Sequence, residues 1–437
     1  MRAASVALFA VLLVARAASG ELPAARFAEV VRLEVSAVPS LCGTSEAQLG
    51  VFACRSTCEA IPWQLDERDA SGRLVLDQGP EPNADDPPGV LDGNDLILFM
   101  ASDAGERLGS IPGAPTLPVG VVAAVEVELT DPRTARHAWV YLLRFAENAP
   151  RSPISYVRYD PVSDHIQGAR VALGFGRGTP RFLALVGGDG TAGENLLDRM
   201  KIRARARFLW GLISFTRSED DVQTRFVAWR QGPIRVIRRQ QLWVRLGWGF
   251  RTPIFGSDTY FYRDWADLPV TLRLNFAPHL LFTDITIHAV LDFRDLRGWT
   301  VQTPGRRGVL RVDGKMVAEK LALSRSPGDW FALRGPGITL LEVMQVSPSL
   351  STVKRHLLYR ESTAAVDPPE SEPGEMPGIG YTLTQWDKVE SGAHWFASNS
   401  YALPPELDVR EFLDTLTQPL RAAERALPLD SAPGSSG

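Results

Sequence analysis

A chain of 437 residues with 45% hydrophobic and 22% charged side chains can bury more than one core, which excludes a disordered protein and favours two domains or one large double sandwich. The formal net charge of −4 argues against general nucleic-acid binding, and it becomes more negative if Arg2 and Arg16 leave with a leader.

At the start, Arg2 is followed by an apolar run from Ala3 to Ala15 and then by small residues at Ala17, Ala18, Ser19 and Gly20. This reads as a cleavable signal peptide over residues 1–20, because a membrane-spanning helix needs roughly 20 apolar residues. The expectation is a periplasmic or secreted protein with no direct membrane span.

The next segment, 21–165, is expected to form an N-terminal β-domain. Glu29 to Val38 alternates apolar and polar residues with the period of a half-buried strand. Cys42, Cys54 and Cys58 all fall within seventeen residues, and in an oxidising compartment two of the three should pair. The pairing favoured is Cys42 with Cys54 or Cys58. A zinc site at Cys54 and Cys58 lacks a neighbouring His.

The most distinctive run is Ile61 to Glu67 (IPWQLDE), followed by LVLDQG from Leu74 and VLDGNDLILFMASDAG from Val90. Between Ile61 and Gly105 the chain resembles uncharacterised exported bacterial β-sandwich proteins that carry an IP-aromatic-Q-x-D-E strand before D-x-N-D-x-L-x-F-M-x-x-D-x-G. The resemblance implies an N-terminal domain similar to those preceding the sandwich domains of some polysaccharide-active proteins, a likeness of fold and not of site.

Asp66, Glu67, Asp69, Asp92, Asn94, Asp95 and Asp103 offer oxygen ligands, which makes calcium the one cofactor with candidate ligands here. The spacing departs from an EF-hand loop, since the fifth position from Asp92 is Leu96 and the twelfth is Asp103. The competing reading is a turn at Asp92-Gly93-Asn94-Asp95, with Leu96, Leu98 and Met100 entering the core.

From Val121 onward short β-rich segments dominate: VVAAVEVELT, HAWVYLLRF from His137, RFLALVGG from Arg181, TRFVAWR from Thr224, VTLRLNF from Val270, DITIHAVLDF from Asp284 and ITLLEVMQV from Ile338. Turn signals separate them, including Gly187 to Gly190 and a two-residue hairpin at Asp313-Gly314. The fold class expected is all-β: the N-terminal β-domain plus a larger β-sandwich over 166–404, with one C-terminal amphipathic helix. Alternating β and α units are missing, which removes most nucleotide-binding folds.

Arg199 to Arg251 holds thirteen Lys and Arg residues against three acids. Lys201, Arg203, Arg205 and Arg207 occupy alternate positions and give one strand a basic face, with Arg235, Arg239, Trp243, Arg245 and Trp248 following. Guanidinium groups bind carboxylates and sulfates, and aromatic faces stack on sugars, so this surface suits an acidic glycan. The bland alternative is a sheet face whose arginines cover apolar surface and pair with acids elsewhere.

Catalytic motifs are scarce: no G-x-S-x-G, H-E-x-x-H or Walker loop occurs. His288, on a strand face with Asp284, Thr286 and Asp292, and His394, beside Trp395 and near Tyr381 and Trp386, are the proton-transfer candidates. A lyase acting on uronates would need His288, His394 or Tyr381 as base and a basic-strand arginine to neutralise the carboxylate, all converging on one point.

Asp85 to Gly89, Gly109 to Pro118 and the acidic stretch Val366 to Gly378 read as loops. GYTLTQW from Gly380 and HWFASNSYAL from His394 then complete the sandwich. Residues 405–427 show a helical apolar period, bent at Pro419, and 428–437 reads as a disordered tail. Together these features point to an exported soluble protein that binds a glycan or another cell-envelope component, with a carbohydrate-active lyase as the alternative.

Overall fold

The computed structural model describes residues 21–85, 87–111, 115–176, 178–209, 211–247, 249–365, 367–369 and 373–428. The signal peptide expected at 1–20, Trp248 and all but the first residue of the expected tail lie outside the described residues.

The chain is all-β, built from antiparallel sheets. Its N-terminal unit packs a three-stranded sheet (Val30–Glu34, Leu96–Met100, Trp63–Asp66) on a five-stranded one (Arg421–Leu427, Val121–Thr130, His137–Phe145, Leu49–Cys54, Cys58–Ala60). Alternation supplies the core between them: Val31, Leu33, Trp63, Leu65, Ile97 and Phe99 meet Val51, Val127, Val140 and Leu142. Leu96–Met100 is apolar at every position because it is buried on both faces. Its Leu98 and Met100 turn away from this core and pack on Ile234 and Tyr262 of the next unit.

That next unit is a sandwich of a ten-stranded sheet and a five-stranded sheet, the latter ordered Ile213–Ser218, Leu197–Phe208, Phe282–Phe293, Glu375–Thr384 and Lys354–Ser362. Phe293, Phe331, Leu333, Leu357, Ile379 and Leu383 belong to the core between them. A four-stranded meander over 158–185 flanks the sandwich, and the domain boundary expected at 165 falls inside it: His165 pairs with Gly174.

Two expectations need correction. After the short helix α1 (Ala318–Leu323), the C-terminal helix expected over 405–427 is confined to α2 (Val409–Thr417), whose first turn is capped by Asp408 accepting from the backbone of Arg410 and Glu411 at 2.8 and 3.0 Å. Pro419 cannot continue the ladder, and Arg421–Leu427 becomes an edge strand running antiparallel to Val121–Thr130, from Arg421 opposite Thr130 to Leu427 opposite Ala124. A row of unpaired backbone groups on the N-terminal sheet outweighs the modest helix propensity of RAAERAL. The favoured disulfide is also revised. Cys54 and Cys58 stand opposite each other in a tight hairpin and are bonded, while Cys42 is free and exposed.

Candidate ligand site

The basic strand has the face expected of it, but burial divides that face. Lys201 is fully buried between Asp292 (2.9 Å) and Glu375 (2.8 Å), and Arg203 is bound to Glu219 and to Asp367 (2.9 Å). Only toward the strand's far end are the guanidinium groups exposed, at Arg205 and at Arg207, which lies 3.5 Å from an exposed Asp284. Arg235 and Arg239 belong to the other sheet. Arg235 is buried against Asp66 and Tyr262, and Arg239 forks onto Asp258 with both contacts at 2.7 Å. Trp243 is half-buried under the Arg251 guanidinium. The expected acidic-glycan surface is therefore not assembled, because a cation that leaves water requires a paired acid, and distant strands supply one for most of these residues.

The three candidate bases do not converge either. His288 shares the outer face of the five-stranded sheet with Arg203 and Thr382, and its Nδ1 lies 2.9 Å from Thr382 Oγ1. Burial, with the Arg205 and Arg360 charges, holds its pKa below the ordinary histidine value, so the ring is neutral near pH 7. Tyr381, one residue from Thr382, faces the core instead; its hydroxyl donates to the carbonyls of Asp329 (3.2 Å) and Glu342 (3.3 Å), and burial raises its pKa well above the ordinary value. His394 has both ring nitrogens engaged, with Ser349 Oγ and the Glu390 carbonyl at 2.9 Å each. The lyase constellation is not assembled, because Tyr381 and Thr382 face opposite sides of their strand and His394 belongs to the ten-stranded sheet.

The calcium candidates are occupied as turn and interface acceptors. Asp95 accepts from the backbone of Arg68 and Asp92 at 2.9 Å, Asp92 accepts from Asn94 N at 2.9 Å, and Asp103 accepts from the Tyr156 hydroxyl at 2.8 Å. Asp69 binds Arg73 and Ser71, while Asp66 and Glu67 bind Arg235 and Arg230. Among the described residues no group of three or more His, Cys, Asp or Glu is placed to hold a metal.

A different site emerges where helix α2 and the first described turn cross the ten-stranded sheet. Strands Trp265–Leu274 and Gly392–Leu403 pair with Trp265 opposite Tyr401 and Asp267 opposite Asn399, and these four residues line a cavity of about 520 Å³ roofed by Phe412 and Leu416 of α2. Trp265 is clasped between Tyr262 (ring centroids 4.1 Å apart, 10° between planes) and Tyr401 (5.3 Å, 18°), and Tyr401 meets Phe412 edge-on at 5.0 Å. Trp265 Nε1, Asp267 Oδ1 and Asn399 Oδ1 are buried and have no hydrogen-bond partner among the described residues.

Burial raises the pKa of Asp267, opposed by the Arg32 charge and the Asn399 amide. Arg32, on the rim, donates to the Tyr262 hydroxyl at 2.8 Å. A second carboxylate in the lining, Glu29, is already held by Arg26 (2.7 Å) and Leu420 N (2.7 Å), and its pKa is also raised by burial.

None of these residues was singled out from sequence. The available signal was two polar residues, Asp267 and Asn399, each two positions from an aromatic on the same strand face.

No family model and no curated protein matches this sequence. Among solved structures, an alpha-mannosidase from Enterococcus faecalis V583 is similar over 91% of this chain and 44% of its own, at 9% identity and a TM-score of 0.49. The alpha-N-acetylgalactosaminidase NagBb from Bifidobacterium bifidum, solved with GalNAc, is similar over 59% of this chain and 36% of its own, at 12% identity and a TM-score of 0.32. The chain thus spans less than half the length of either protein.

Proposed function

We propose that this protein is a non-catalytic glycan-binding β-sandwich that holds a neutral or amino sugar in the cavity beneath helix α2. The observation that carries the reading is the lining of the cavity of about 520 Å³, in which the aromatic residues Trp265 and Tyr401 stand beside the polar residues Asp267 and Asn399. A sugar ring offers apolar faces to the aromatic residues and hydroxyls that both donate and accept to the polar ones, and the volume falls within the range usual for small-ligand sites. Asp267 disfavours a uronate at this place. The acidic glycan suggested by the basic strand gives way to a neutral or cationic one.

Binding is favoured over hydrolysis because glycoside hydrolysis needs two available carboxyl groups, and Glu29 is engaged by Arg26 and Leu420. Action outside the cytoplasm, in the periplasm or as a secreted protein, is supported by the Cys54–Cys58 disulfide. Among the described residues no helix is long and apolar enough to cross a membrane.

The test is calorimetric titration of the protein with neutral and amino oligosaccharides, alongside Asp267→Ala and Asn399→Ala. Each substitution should weaken binding roughly tenfold, the equivalent of one hydrogen bond to a buried polar group. Wild-type protein that binds no such sugar, or binding that survives both substitutions unchanged, would mean the cavity holds only water.

A further inference from the structure

Fourteen large apolar side chains are exposed among the described residues, and six of them gather at one end of the sandwich: Leu212, Ile213, Phe250, Ile254, Phe276 and Leu280. Leu212 is 81% exposed, Phe250 69% and Leu280 53%. They sit on three connections that are remote in sequence. These are the turn between Leu197–Phe208 and Ile213–Ser218, the turn after Arg235–Gly247, and the connection from Trp265–Leu274 to Phe282–Phe293.

The three connections are joined. Leu209 N donates to Leu281 O at 2.9 Å, and the Phe208 and Phe282 rings lie 5.2 Å apart, which ties the first to the third. Arg217 Nε donates to Arg245 O at 2.9 Å, which ties the strand leaving the first to the strand entering the second. Ile254, Thr271, Leu272 and the exposed Trp395 share the lining of a depression of about 370 Å³, which ties the second to the strand leading into the third.

Exposed arginines surround these tips: Arg205, Arg207, Arg245, Arg251 and Arg273. Exposed acids near this end are fewer: Asp284 lies 3.5 Å from Arg207, Asp220 accepts from Arg245 through its carbonyl at 3.0 Å, and Glu390 lies beside His394. Apolar tips set among cations match a surface that is apolar at depth and anionic at its rim.

We infer that this end of the molecule is a peripheral docking surface for an anionic lipid bilayer, with the three tips entering the interface and the arginines meeting lipid phosphates. Two features favour a bilayer over a protein partner: the apolar residues stand on separate turns, and each turn has a cation beside it, so that phosphate contact accompanies insertion. No membrane-spanning helix is required.

The geometry also orders the molecule on the membrane. The Trp265–Leu274 strand has its first residue at the sugar cavity and its last next to the tips, so about 30 Å of strand separates the two sites. Docking would hold the cavity away from the lipid and open to solvent, but the inference does not depend on what the cavity binds.

The experiment is flotation of the full chain with phosphatidylcholine vesicles and with vesicles in which a third of the lipid is phosphatidylglycerol. Binding is expected only to the anionic vesicles and should weaken with salt. The combined variant Leu212→Ser, Phe250→Ser and Leu280→Ser should lose at least tenfold in affinity. Arg205→Gln with Arg207→Gln and Arg251→Gln should reduce both affinity and its salt dependence, whereas Val162→Ser, 95% exposed elsewhere, should change nothing. All positions substituted are exposed, and unchanged melting temperatures confirm that the variants fold.

Failure to float with anionic vesicles overturns the inference. So does equal binding by the triple apolar variant. Concentration-dependent self-association that the apolar variant abolishes would also overturn it, making this end an interface between two copies.

Discussion

Lys201 is buried without exposed surface, and its ammonium lies between two carboxylates that are equally buried, Asp292 and Glu375. Glu375 is also held by Arg360 at 2.8 Å, so Lys201 is shared by two carboxylates of which Glu375 has a second cation. Burial accordingly pushes the Asp292 pKa up to about 7, against the pull of Lys201 and with the Glu375 charge adding to the rise. A carboxyl that titrates higher in the folded than in the unfolded state binds its proton on folding. Its contribution is therefore most favourable below the unfolded value and is lost as pH rises from about 4 to 7. The Asp292→Asn variant, which mimics the protonated form at every pH, should gain stability relative to wild type between pH 5 and pH 8, as read by chemical denaturation at both values. A constant difference would show that Asp292 is ionised throughout. The alternation that places Lys201 on a face with Arg203, Arg205 and Arg207 is visible in the sequence. Its burial is not, because the neutralising Glu375 lies 174 positions away and only the completed sheet brings it near.

At the scale of elements, period and propensity misled only where a tertiary edge competed with them. Phe412 and Leu416 mark the helix correctly, and Pro419 is the point at which the helix stops. RAAERAL nevertheless favours helix on propensity and forms a strand, because the free edge of Val121–Thr130 offers a ladder along the whole segment. The strand closes an edge that would otherwise expose backbone donors and acceptors over a long, flat run. A chain truncated after Gln418 should lose that cover while retaining helix α2. The expected result is a lower melting temperature and self-association in size-exclusion chromatography; a truncated chain that remains monomeric and equally stable would show that the strand is dispensable. The cavity illustrates the converse limit. Trp265, Asp267, Asn399 and Tyr401 obey the two-residue period of their strands, yet they belong to segments more than a hundred residues apart, and register rather than motif brings them together.

For the whole molecule, the question is what joins the N-terminal unit to the sandwich, and the residues that answer it come from the most distinctive motif in the sequence. In IPWQLDE, Trp63 and Leu65 face the N-terminal core, while Gln64 and Asp66 face the other way, toward the ten-stranded sheet. Gln64 Oε1 accepts from the backbone of Ile234 and Arg235 at 3.2 and 2.9 Å, and its amide donates to Asp66 at 2.6 Å. The Arg235 guanidinium is bound to Asp66 and donates to the Tyr262 hydroxyl at 2.8 Å, and Glu67 holds Arg230 at 3.2 Å. The polar half of the motif thus acts as a grip between units, which explains why its acids are unavailable to a metal. Arg235→Met keeps most of the side-chain volume but leaves Asp66 buried and without its cation, a loss on the order of 3–5 kcal/mol. Because the deficit falls on the interface rather than inside either core, the single unfolding transition expected of the wild type should separate into two in calorimetry. Adding Asp66→Asn to Arg235→Met removes the uncompensated charge and should recover a large part of the loss. If the single variant instead melts in one transition near the wild-type temperature, the two units are held together by the apolar contacts of Leu98 and Met100 with Ile234 and Tyr262, and the ionic grip sets register without adding stability.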